Sequence, residues 1–205
     1  MSKQNIAFSI AAFFIFCIIG SSETFAQAVP RTQIEPSYEI VLQTLNGSNG
    51  AAKTDVPPQL SGVLKKLRTN YSYASYRLAS TSVQRVGQNG AIESKSVSLE
   101  TPVNQERNLS FFSEWTLSGL QNLPDAQGTN SVQFQSFRFG QRVPVITGAL
   151  NEGGRTNPIV NYEQIGLTIQ RFSLPIGIPT VIGSLPSSKS DEMIFLVLTV
   201  KSAVE

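Results

Sequence analysis

The sequence predicts an α+β protein that is mainly β: an N-terminal strand–helix–hairpin unit followed by an antiparallel or mixed β-sheet. Three observations predict it. Apolar residues alternate at period two in several segments after residue 37, the mark of half-buried strands. One segment departs from that period, with Leu60, Val63, Leu64 and Leu67 at helical spacing. Residues 192–201 form a continuous apolar run of strand length, the pattern of a central strand buried on both faces.

The elements follow in order. Residues 1–26 read as a signal peptide. Lys3 supplies a positive charge, residues 6–20 are almost wholly apolar, and Ala26 or Ala28 precedes the cleavage point. The apolar run is shorter than the ~20 residues that usually span a bilayer. Residues 27–36, with Pro30 and Pro36, form a linker. An α+β subdomain is expected over 37–124. It opens with a strand over 37–45 and a Gly- and Asn-rich loop over 46–54. Pro57 and Pro58 suit the first turn of a helix that runs to about Asn70. Its apolar stripe needs a sheet to cover, while Lys65, Lys66 and Arg68 form its solvated face. Tyr71, Tyr73 and Tyr76 fix the helix exit.

Residues 76–86 alternate, with Ala79, Thr81 and Val83 on one face. Asn89-Gly90 is a strong hairpin signal, because both residues tolerate positive φ. The expected partner strand, 91–99, is polar with Lys95 at its middle, which suits a sheet edge. Leu109, Phe111, Trp115 and Leu117 share one parity and make a further half-buried strand. The break at 124–130 marks the boundary with a second, β subdomain over 131–203. There, Val132 and Phe134 are out of step with Phe137 and Phe139, which predicts a bulge at Gln135-Ser136. Residues 161–174 slip in the same way, with Ile165, Leu167 and Ile169 in one phase and Phe172 and Leu174 in the other.

Composition narrows the chemistry. The chain has no histidine, which removes the usual general base and the commonest metal ligand. Cys17, the single cysteine, lies inside the leader, so the mature chain lacks disulfides and the usual zinc and iron–sulfur ligands. No phosphate-binding or dinucleotide-binding glycine motif is present. The net charge of +2 is spread along the chain rather than gathered into a nucleic-acid-binding stripe. A glycosidase would need paired carboxylates, and nothing in the spacing pairs any two of the glutamates. The sequence therefore points away from an enzyme, with no cofactor and no metal. Phe111, Phe112 and Trp115 are a candidate ligand or partner surface, against the alternative that they pack the core.

Four segments carry a resemblance. Phe139 to Gly148 reads FGQRVPVITG, and Asn161 to Ile169 reads NYEQIGLTI. Gly177 to Leu185 reads GIPTVIGSL, and Ser190 to Thr199 reads SDEMIFLVLT. In this order they resemble the β-domain of bacterial secretins, the outer-membrane ring channels of secretion and pilus systems. The matching positions are Gly140, Gln141, Val143, Pro144, Gly148, Tyr162, Gly166, Gly183 and Glu192. The last strand lacks the proline and arginine usual in secretins, and only a few residues separate the second and third segments. The resemblance implies a truncated secretin-type β-module in the periplasm or cell envelope. It further implies a protein partner or self-association through sheet edges, within an outer-membrane secretion or pilus assembly. A soluble periplasmic ligand-binding protein using an aromatic platform is the alternative.

Overall fold

Ser37–Ser48 (β1) is apolar enough to be buried on both faces from Ile40 to Leu45, and the first sheet grows from it. In this computed structural model the described residues are 36–50, 53–100, 109–124, 130–153, 155–187 and 191–203. The expected leader and nearly all of the linker lie outside them. β1 is antiparallel to Ser75–Gly87 (β2) on one side and Glu192–Ala203 (β9) on the other. Thr180–Pro186 (β8) pairs with the far edge of β9, giving the order β2-β1-β9-β8. Residues 194–200 of β9 are all buried, as their unbroken apolar run predicts.

The second sheet contains Ala91–Glu100 (β3), Leu109–Ser118 (β4), Gln121–Pro124 (β5), Asn130–Glu152 (β6) and Arg155–Pro175 (β7). β4 and β5 follow one another along one edge of β6, β3 flanks β4, and β7 lies along the other edge of β6. Every strand pairing is antiparallel; two isolated bridges, Asp55–Arg77 and Ile176–Val200, are parallel.

A turn of 3-10 helix at Pro58–Leu60 leads into Ser61–Asn70 (α1). Leu60, Val63 and Leu67 bury against Leu45, Tyr76, Phe195 and Val197 of the first sheet. Lys65, Lys66 and Arg68 face solvent as expected. The Phe195 ring is met edge-on by Tyr71 at 4.8 Å and Tyr73 at 6.1 Å, so the tyrosines do pin the helix exit. The opposite face of the sheet packs on the second sheet. Tyr38, Ile40, Leu42, Leu198 and Val200 meet Leu117, Phe134, Phe137 and Phe139 there. The layers are helix, sheet, sheet.

Three expectations are corrected. Asn89 does take a positive φ of 60°, but the strands it joins do not pair. Asn89 donates its N–H to the Leu120 carbonyl at 2.8 Å, which turns the chain out of the first sheet and into the second. β3 then pairs with β4 rather than β2, with Ser94 opposite Trp115. β3 is nonetheless an edge strand, with Lys95 exposed.

Nor do two subdomains meet at 124–131. The first sheet needs β9 from the end of the chain, the second needs β3 and β4 from the first half, and residues 35–205 form one compact unit.

The third correction concerns the bulge. The phase slip is real: Val132, Phe134, Phe137 and Phe139 are all buried. Yet the β6–β7 register runs unbroken from Phe134↔Phe172 to Ser136↔Gln170, so no residue is inserted. The pair between them, Gln135 and Arg171, is distorted instead, with Arg171 at φ 52°. Continuing the β4–β6 register places Gly119 beside Gln135, and Gly119 has φ 67°. The two left-handed residues, Gly119 and Arg171, flank Gln135 of β6 on one line across the sheet. Each strand changes phase there: Leu117 gives way to Leu120, Phe137 to Phe134, and Ile169 to Phe172.

Candidate interaction site

The secretin-like positions gather around the β6–β7 hairpin. The two strands pair from Ser131↔Pro175 to Glu152↔Arg155. β4 accompanies β6 only as far as Arg142. Pro144 comes just beyond that point, where β6 becomes an edge. A proline has no N–H for a second neighbour, so it fits such a position. From Pro144 to Glu152, β6 pairs only with β7 among the described residues. Nine residues at about 3.4 Å each make an arm ~30 Å long. Its register shifts between Ile146 and Gly148, and that bulge twists the arm.

Pro144 itself is buried, but beyond it side chains on the arm are open to solvent. Ile146 is 45% exposed, Leu150 61%, Ile159 41% and Tyr162 47%. At the arm's base the Tyr162 ring meets Phe112 edge-on at 5.7 Å. Val97 lies opposite Phe112 across the β3–β4 pair and is also exposed. Val97, Phe112, Tyr162 and Ile146 thus extend exposed apolar surface from β3 out along the arm. Beside it, Lys95, Glu114, Arg142 and Gln164 line a shallow depression of about 370 Å³ with Gly140 at its floor. Glu93 and Lys95 pair at 2.8 Å on the edge strand, and that contact holds the Glu93 carboxyl below its usual range. Glu93 and Glu114 share a second hollow with Lys95 and Arg138. A glycosidase acid needs its carboxyl raised, which is the opposite of what Lys95 does to Glu93.

The three aromatic candidates do not form one platform. Successive strand residues point to opposite faces. Phe111 and Trp115 therefore lie in the core, 8% and 4% exposed, and Phe112 faces out with Tyr162. Gly140 and Gly166 face each other across β6–β7, and a Cβ on Gly166 would lie 2.5 Å from the Phe139 carbonyl oxygen. Val143 is buried, Gln141 lies on the same inward side, and Gly148 sits at the arm's register shift. Gly183 lies in β8 against Leu167, and Glu192 opens β9. Seven of the nine motif positions thus lie in β6 or β7, but only Pro144, Gly148 and Tyr162 lie on the arm itself.

The reach of the arm went unrecognised in the sequence. Its sequence signal is the Gly153-Gly154 pair, a dipeptide that favours a hairpin turn, and Gly153 takes a φ of 58°. Among the described residues no cluster of three potential metal-ligating His, Cys, Asp or Glu is present.

No protein-family model matches the chain, and no curated protein matches it. Among solved structures it is similar to the InvG secretin domain β-barrel from the Salmonella SPI-1 injectisome NC-base. That likeness covers 100% of this chain and 69% of the other, at 10% identity and a TM-score of 0.33. A TM-score of that size does not establish a shared fold.

Proposed function

We propose that the chain is an exported, non-catalytic envelope protein that works as an assembly module related to secretin β-domains. Its β6–β7 arm joins a partner sheet, either a second copy or another envelope protein. The carrying observation is that the arm is a lone two-stranded ribbon. Such ribbons are at best marginally stable in water. This one also leaves Ile146, Leu150, Ile159 and Tyr162 exposed, and among the described residues no further strand pairs with it beyond Arg142. Strand addition would supply the missing hydrogen bonds, and apolar contacts would bury those side chains. The four secretin-like segments support the same reading, because they fall in β6, in β7, across the start and most of β8, and in β9. The leader over 1–26 supports export.

Light scattering on the purified protein, combined with cross-linking in the producing cell's envelope, tests the proposal. The expected result is a mass that rises with concentration, or a discrete envelope adduct. Either is lost in the Ile146→Lys/Leu150→Lys variant while its melting temperature is kept. A constant monomer mass with no adduct would contradict it.

A further inference from the structure

Between β1, β2 and β9 of the first sheet and β3, β4 and β6 of the second, the sandwich opens into a cleft of about 350 Å³. Its chemistry differs from the rest of the inter-sheet contact, where Tyr38, Ile40, Val86, Leu117 and Phe137 form the core. In the cleft, hydroxyls stand among apolar side chains such as Leu42, Phe111 and Phe139, and Thr44 and Ser80 hydrogen-bond to each other at 2.8 Å. Thr44, Ser80 and Ser82 come from the first sheet, and Ser96, Ser98 and Ser113 from the second. Trp115 and Gln141 also line it, each with a buried polar atom that has no hydrogen-bond partner among the described residues. The indole Nε1–H of Trp115 can only donate, and the amide oxygen of Gln141 can only accept. Buried polar atoms are rarely left unpaired. A hydroxyl group answers both, accepting from the indole and donating to the amide.

We propose that this cleft binds a neutral, polyhydroxylated small molecule of mono- or disaccharide size, with hydroxyls taken up by Trp115 and Gln141. The cleft volume lies within the ~300–1,000 Å³ of small-molecule sites. The charged side chains lining it, Arg77 and Glu192, are one of each sign, which favours a neutral ligand. None of the arm residues 144–162 lines the cleft, so this site stands apart from the assembly surface.

Trp115 is the chain's single tryptophan, so its emission reports on the cleft alone. The protein, purified after expression of the full chain, is titrated with glucose, N-acetylglucosamine and maltose. A saturable change in emission is expected for at least one of them. Gln141→Leu should weaken it about tenfold, the effect of one lost hydrogen bond. Ser98→Leu narrows the exposed mouth without touching the core and should weaken it too, with the melting temperature of both variants followed in parallel. Emission unchanged by all three sugars overturns the proposal. So does a saturable response that is the same in both variants, or a crystal soaked in the sugars that holds only water at Trp115 and Gln141.

Discussion

Arg171 and Gly119 show how single residues set the phase of whole strands. A left-handed backbone costs roughly 1–2 kcal/mol for a residue with a Cβ, and the second sheet accepts that cost at Arg171. Valine ordinarily favours strands, yet its β-branch makes it a stronger outlier there than arginine, so Arg171→Val should destabilise the protein by about 1 kcal/mol. Arg171→Gly, which relieves the Cβ cost but loses chain entropy, should be neutral to stabilising by about 1 kcal/mol. At Gly119 a Cβ would also lie 2.4 Å from Gln135 Cγ, so Gly119→Ala should cost at least as much. Denaturant unfolding of the three variants checks both signs. A second residue-scale prediction concerns pH. Burial pushes the Tyr76 phenol up, with neighbouring Tyr73 adding to the effect, and burial does the same at Tyr38. A group whose folded pKa is raised keeps its stabilising contribution below its unfolded pKa and loses it as pH climbs. Stability should therefore hold through neutral pH and fall above about pH 10. Tyr76→Phe should shed part of that alkaline loss, read as the melting temperature against pH. The phase change itself was legible in the sequence, at Phe134/Phe137 and Ile169/Phe172. Its cause was not, because a left-handed arginine leaves no trace in an apolar pattern.

At the scale of elements, the strands and the helix were legible because their periods differ and one side of each is dry. α1 is the plain case. Leu67 is 2% exposed between the helix and the first sheet, and Leu67→Ala should cost about 2–5 kcal/mol, read from equilibrium unfolding. Asn89-Gly90 misled for a physical reason. A turn dipeptide reports local φ, whereas pairing is decided by where the apolar faces go. The β3 inner face carries Ile92 toward the second sheet's core, so β3 leaves β2 and joins β4. The aromatic candidates divided for an equally simple reason, since neighbours in a strand cannot share a face. The arm was missed because half-exposed apolar residues look the same in sequence whether a partner covers them or not. Ile146→Lys/Leu150→Lys removes no core contact, so its stability should stay within about 0.5 kcal/mol of the parent while assembly is lost.

On the scale of the molecule, long-range pairing joins the two ends of the described chain. β1 meets β9 along its length, from Ser37↔Ala203 to Ser48↔Glu192. This is why a boundary drawn from the composition near residue 124 does not divide the fold. The helix–sheet–sheet stack is a self-sufficient scaffold with two cores, and the arm leaves it beyond the last contact with β4. On the proposed function, this arm is incomplete until a partner pairs with it. Amide hydrogen exchange at a dilution where light scattering gives a monomer mass tests that most directly. Amides of residues 145–153 and 155–160 should exchange far faster than those of Leu196–Val200 in β9, and gain protection when the protein assembles or meets its partner. Arm amides protected as strongly as β9 in the monomer would contradict it.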